Sequence, residues 1–172
     1  MAEIQRVLIP TDFTIDSLRS ALQYLEGMEG DKIEIVLAGG YKMDSSITGL
    51  LGFSKEFYLD IVQTEDFIKG CSMIRSRFEN KVSEIYADLI LSRNIRYLRN
   101  YLHGAGITKI VIAEGYDFQS SIKNSFNISE LLKEHVPGNI QVVSLKSDKR
   151  ALQDIDALDG IFFRKDWRLG YE

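Results

Sequence analysis

Apolar positions along this chain follow two alternating periods. Val7-Leu8-Ile9 is a compact apolar run stopped by Pro10, the pattern of a strand buried on both faces. Leu18, Ala21, Leu22 and Leu25 then recur at helical spacing, with Thr14 placed to cap that helix. Ile33 to Leu37 predicts a second strand, closed by Gly39-Gly40. Residues 42–55, which hold Ser45, Ser46, Gly49 and Gly52, read as a surface loop. Phe67, Cys71, Ile74 and Phe78 form a helical stripe within one long helix over residues 56–81. Ile85 to Leu91 predicts a third strand, and Ser92 a cap for a helix bearing Ile95, Leu98 and Leu102 that Gly104 and Gly106 stop. Lys109 to Ala113 is the clearest buried strand. Asn127 and Glu130 suit a capping box for a helix through His135, ended by Pro137-Gly138, and Ile140 to Leu145 supplies a fifth strand.

Five strands alternating with four helices predict an α/β fold, a doubly wound, Rossmann-like parallel sheet with helices on both faces. The chain's 172 residues suit one domain. Ligands of such sheets sit outside the carboxyl ends of the strands, where strand order reverses. Two segments lie at such ends: Pro10 to Thr14 after the first strand, and Glu114 to Phe126 after the fourth.

Charge narrows the function classes. A formal net charge of −4 argues against a general nucleic-acid binder, which needs clustered basic surface. No apolar run reaches the roughly 20 residues of a membrane span, and Met1 to Pro10 does not read as a signal peptide. A single cysteine, Cys71, precludes an internal disulfide and points to the cytoplasm.

Arg6-Val7-Leu8-Ile9-Pro10-Thr11-Asp12-Phe13-Thr14, followed by Ser17 and Ala21-Leu22, resembles the amino-terminal signature of universal stress proteins. Lys109 to Ala113, Ile128-Ser129-Glu130-Leu131-Leu132 and Val136-Pro137 are similar to the same family's carboxyl half, so the resemblance spans roughly residues 4–146. It implies a five-stranded sheet of the adenine nucleotide alpha hydrolase-like type and frequent homodimers paired through the last strand. In some members it also implies ATP bound over the sheet.

Nucleotide-binding members carry a glycine-rich loop after strand four, written G-x-x-G-x9-G and then Ser or Thr. Glycines let backbone N–H groups approach phosphate closely. Aligned on Ser129-Glu130, this chain places Ala113, Tyr116 and Phe126 at the glycine positions and Asn127 at the Ser/Thr position. Glu114 and Asp117 put carboxylates where phosphate would lie, and Gly115 is one residue out of register. The cradle reads as absent. In nucleotide-binding relatives the aspartate matching Asp12 contacts the adenosine portion. The other reading of Asp12 is that it orders the turn by accepting a backbone N–H. If nucleotide binds at all, the contacts fall on Asp12, Phe13, Tyr41 and Gly115, and Tyr116 and Phe118 add further aromatic faces for adenine.

Other chemistry is not encoded. A phosphoacceptor site would need a second aspartate ending strand three, where Leu91-Ser92 stands. His103 and His135 have no ligand spacing that suggests metal, and Cys71 on an apolar stripe reads as a buried thiol. The expectation is therefore a non-catalytic stress-response protein with a regulatory or interaction role, and no catalytic or metal residues. No cofactor is expected. The alternative is an adenine-nucleotide-binding module, holding ATP or AMP on a non-standard phosphate loop, with weak ATPase activity. Residues 1–147 form the domain, and 148–172, with Leu152, Ile155, Leu158 and Trp167, form an extension expected to pack on the domain or a dimer mate. A homodimer through Ile140 to Leu145 is the expected partner, alongside a protein partner that the sequence leaves unknown.

Overall fold

Strands that are apolar on both faces must be covered on both, and the chain winds to achieve this. The computed structural model describes residues 3–43, 54–119 and 122–146. The Ser45-Ser46 pair and the extension with Trp167 lie outside the described residues. In chain order the strands are β1 (Gln5–Pro10), β2 (Ile33–Tyr41), β3 (Val82–Ile90), β4 (Lys109–Glu114), β5 (Ser125–Phe126) and β6 (Gln141–Lys146). The helices are α1 (Leu18–Gly27), α2 (Lys55–Val62), α3 (Glu65–Arg77), α4 (Ile95–Gly104) and α5 (Ser129–His135). The main sheet runs β3-β2-β1-β4-β6 with all five strands parallel, as the alternating periods and the resemblance both imply.

Side-chain alternation along the strands divides the core in two. Val7, Ile9, Ile35, Leu37 and Val111 face α1 and α3, where Leu18, Leu25, Phe67 and Ile74 meet them. Leu8, Val36, Ile110 and Ile112 point the other way, against Leu98 and Leu102 of α4 and Leu132 of α5. Each such aliphatic side chain contributes on the order of 2 kcal/mol on leaving water. At the β3 edge, Asp88 clasps both layers: its carboxylate takes the Lys55 ammonium at 2.6 Å and the Tyr101 hydroxyl at 2.6 Å.

Several element ends depart from the sequence expectations, each for a local reason. The long helix over 56–81 is two helices. Thr64 breaks it by capping α3, accepting the Phe67 N–H at 3.1 Å, with Glu65 and Asp66 in the new first turn. The third strand starts at Val82 rather than Ile85, because Ile33 of β2 pairs with Val82. Asn94, not Ser92, caps α4: its side chain accepts the Tyr97 N–H at 3.1 Å, while the Ser92 hydroxyl accepts the Asn94 N–H. Asn127 and Glu130 form no capping box. Asn127 instead accepts the Ser129 N–H at 2.9 Å in a local turn, and Ile128 stands at the cap position. Thr14 does not cap α1 with its side chain, because its hydroxyl is committed to Asp12 and a 3-10 turn, Ile15–Ser17, comes first.

The second strand does not close at Gly39-Gly40 but continues to Tyr41. Its end is paired by β5, which runs antiparallel to it with Phe126 opposite Gly40 and Ser125 opposite Tyr41. Gly40 is required there: a Cβ at that position would lie 2.5 Å from the Phe126 carbonyl oxygen and 2.6 Å from its ring. Gly40→Ala is therefore expected to cost about 1–3 kcal/mol by overpacking. Gly104→Ala, whose Cβ meets nothing within 4 Å, should be neutral or slightly stabilising. Urea denaturation of both variants checks this, and equal midpoints would refute the packing argument.

Candidate functional site

From β1 the chain winds outward through β2 to β3 and then returns across β1 to β4, so strand order reverses between β1 and β4. A crevice is expected at the carboxyl ends of those two strands. Its floor is the turn after β1. The Thr11 N–H extends the ladder to the Ala38 carbonyl at 2.9 Å, and Phe13 then turns with a left-handed φ of 62°. Two hydroxyls hold this uncommon backbone. Thr11 Oγ1 accepts the Phe13 N–H at 3.0 Å and lies 2.6 Å from Ser17 Oγ, which donates to the Thr14 carbonyl at 2.7 Å.

Asp12 sits at the centre of the crevice, 3% exposed. Its Oδ1 accepts the Thr14 N–H at 3.0 Å and the Thr14 hydroxyl at 2.5 Å. Its Oδ2 accepts the Tyr116 hydroxyl at 2.6 Å and the Gln119 N–H at 2.8 Å. Four donors thus compensate the buried charge, and among the described residues no cation pairs with it. Charge-assisted bonds of this kind are worth about 1.5–3 kcal/mol each, and a buried carboxylate without them would be costly.

The segment after β4 therefore folds back over β1 instead of standing open. Gly115, at φ 73°, makes the left-handed turn that brings Tyr116 round to Asp12. Further on, β5 pairs with the end of β2, and the buried Phe126 ring carries the Arg93 guanidinium 4.8 Å above it. The three positions that the resemblance aligns with glycines hold a half-buried alanine near the end of β4, a tyrosine bonded to Asp12, and a phenylalanine paired into the sheet.

Between α1, the β4 end and α5 a cavity of about 80 Å³ remains. Asp12 and Gly115 both border it, with Ser17, Ser20, Ser129 and Lys133. Phe13 and Tyr41 are placed elsewhere. Phe13 is buried edge-on against Phe67, with ring centroids 5.7 Å apart, and Tyr41 packs on Tyr58 of α2 at 5.0 Å. The two residues that complete the site, Tyr116 and Gln119, are bonded to Asp12 across 104 and 107 positions of sequence. Only Thr14 left a local signal, since an Asp-x-Thr sequence favours a side-chain-closed turn. Cys71 does not line this crevice, and burial pushes its thiol up to about 12.

No protein-family model matches the chain, and no curated protein matches it at a significant level. Solved structures similar to it include a hypothetical protein, PH0823, with a TM-score of 0.48 and 12% identity over 84% of this chain and 96% of that one. Hypothetical protein MJ0577 is similar with a TM-score of 0.48 and 16% identity, over 86% of this chain and 99% of its own. The universal stress protein UspA from Lactobacillus plantarum is similar with a TM-score of 0.46 and 10% identity, over 84% and 99%. Likenesses at such identities concern the fold alone.

Burial, and after it the bond to Asp12, raises the Tyr116 phenol well above the usual tyrosine range. The folded protein then keeps this proton while the unfolded chain loses it. The resulting stability is complete below the ordinary tyrosine pKa, near 10, and declines as pH rises beyond it. Tyr116→Phe should accordingly show a shallower loss of melting temperature between pH 9.5 and 11.5 than the wild-type chain. Parallel curves would show that the hydroxyl is not held as described.

Proposed function

We propose that this chain is a universal-stress-protein-like domain that acts without catalysis, as a regulatory or interaction module in the stress response, and works without a bound nucleotide. The observation that carries the reading is the saturation of Asp12. The carboxylate that would receive an adenosine is filled by the chain's own Thr14, Tyr116 and Gln119. The 80 Å³ left beside it is far below the roughly 300–1,000 Å³ of small-molecule sites. Exposed carboxylates at Glu114 and Asp117 add repulsion for phosphate. Mg-ATP should show no affinity tighter than about millimolar by calorimetry, and a micromolar Kd would end this reading. The adenine-nucleotide-binding alternative keeps one observation on its side, since Asp12 and Gly115 do border the same cavity.

Function by interaction needs a surface, and β6 offers one. It pairs with β4 on one side only among the described residues, and Val142 on it is 41% exposed. Unpaired strand edges recruit further strands, and a second copy of the same edge is the most economical partner. The proposal includes a two-fold homodimer through β6, in a protein of the cytoplasm. Among the described residues no helix is long and apolar enough to cross a membrane. Light scattering at tens of micromolar should give twice the chain mass, and Val142→Lys should lower it without lowering the melting temperature of the monomer. A monomeric wild-type chain would remove the dimer from the proposal.

A further inference from the structure

We infer that Tyr116 and Gln119 act as a latch on Asp12 that holds the crevice between β1 and β4 shut, so that access to the crevice is controlled by one carboxylate oxygen. The inference rests on the proposed nucleotide-free reading and says what keeps the crevice in that state.

Its basis is how few bonds hold the covering segment. Residues 115–119 leave β4 through the left-handed turn at Gly115, and Gly115, Asp117 and Gln119 are exposed. Among the described residues, the hydrogen bonds that tie this segment to the rest of the domain all end on Asp12 or Thr14. Both bonds to Asp12 converge on Oδ2, at 2.6 and 2.8 Å, and the Tyr116 and Thr14 hydroxyls lie 3.2 Å apart. Asp12 Oδ1 is used differently, since both its donors come from Thr14 in its own turn. One oxygen therefore shapes the turn and the other retains the lid. Loss of the Oδ2 bonds leaves β1, its turn and β4 intact. It releases Tyr116 and Phe118, two of the residues that wall the cavity.

Such a segment opens locally without global unfolding, because its attachment is a small fraction of the domain's stability. A competing ligand must offer Oδ2 what the segment offers: hydrogen-bond donors without a negative charge beside Glu114 and Asp117. A neutral nucleoside meets that requirement, and a nucleoside triphosphate does not.

Hydrogen exchange on the full chain tests the latch. In the wild type the Gln119 amide should exchange at least about tenfold slower than in Tyr116→Phe, since one hydrogen bond of about 1.4 kcal/mol corresponds to tenfold. Amides of Ile9 and Ile112 should not change. Tyr101→Phe, which removes the equivalent bond to Asp88, should leave Gln119 unaltered. Equal Gln119 exchange in wild type and Tyr116→Phe overturns the latch, as does an equal loss of protection in Tyr101→Phe. Asp12→Asn is a stronger break, and Tyr116→Phe keeps the test decisive if that variant fails to fold. Calorimetry with adenosine as the probe reads the access: Tyr116→Phe should bind at least about tenfold more tightly than wild type, and equal affinities refute control of access. Micromolar Mg-ATP binding by a wild type whose Gln119 stays protected would end the proposed function while leaving the latch in place.

Discussion

A buried carboxylate must be satisfied, and in this molecule Asp12 decides what the carboxyl end of the sheet can be. Its exposure is 3%, and its partners are Thr14 of its own turn and Tyr116 and Gln119 of one distant loop. Once Thr14 has closed the turn on Oδ1, Oδ2 still needs donors in an environment with little water. A bound ligand is one way to supply them. This chain supplies them itself, and the loop after β4 is thereby drawn over the site. Tyr116 and Phe118 come to wall the small cavity through that requirement.

The side chains at the positions aligned with glycines act in the same direction. Backbone that cradles a phosphate must be bare, and bare backbone needs a ligand or water to occupy its N–H groups. With Tyr116 and Phe126 at those positions, the loop gains side chains of its own to place. Phe126 goes under Arg93 and against Gly40, carrying its backbone into a two-residue ladder with β2. The segment after β4 holds a strand and a tyrosine anchor where the resemblance would place a glycine-rich loop.

Asp88 at the β3 edge shows that such a cluster is not by itself a site. It also binds a tyrosine hydroxyl at 2.6 Å, on Tyr101, together with Lys55. There the network joins α2 and α4 to an edge strand, and no strand reversal puts a crevice beside it. The chemistry of the two carboxylates is similar, and their position in the topology separates them.

Periodicity alone determined the alternation of strands and helices, because strands buried on both faces and helices buried on one leave different repeats in the sequence. It placed β1, β4 and the helical stripes of α1 and α4 within a residue or two. It failed where one polar side chain outranked the pattern: at Thr64, which split a helix, and at Asn94, which took the cap from Ser92. The side chains at Ala113, Tyr116 and Phe126 were also legible, since a residue type at a given position is a sequence fact. The fate of Asp12 was not. Its bonds to Tyr116 and Gln119 span more than a hundred positions, and β5 is a two-residue strand with no period to detect. Contacts of that kind exist only after β1 and β4 have been brought side by side. The sequence could therefore say that glycine is absent from those positions, and only the tertiary structure could show that the chain's own loop bonds Asp12.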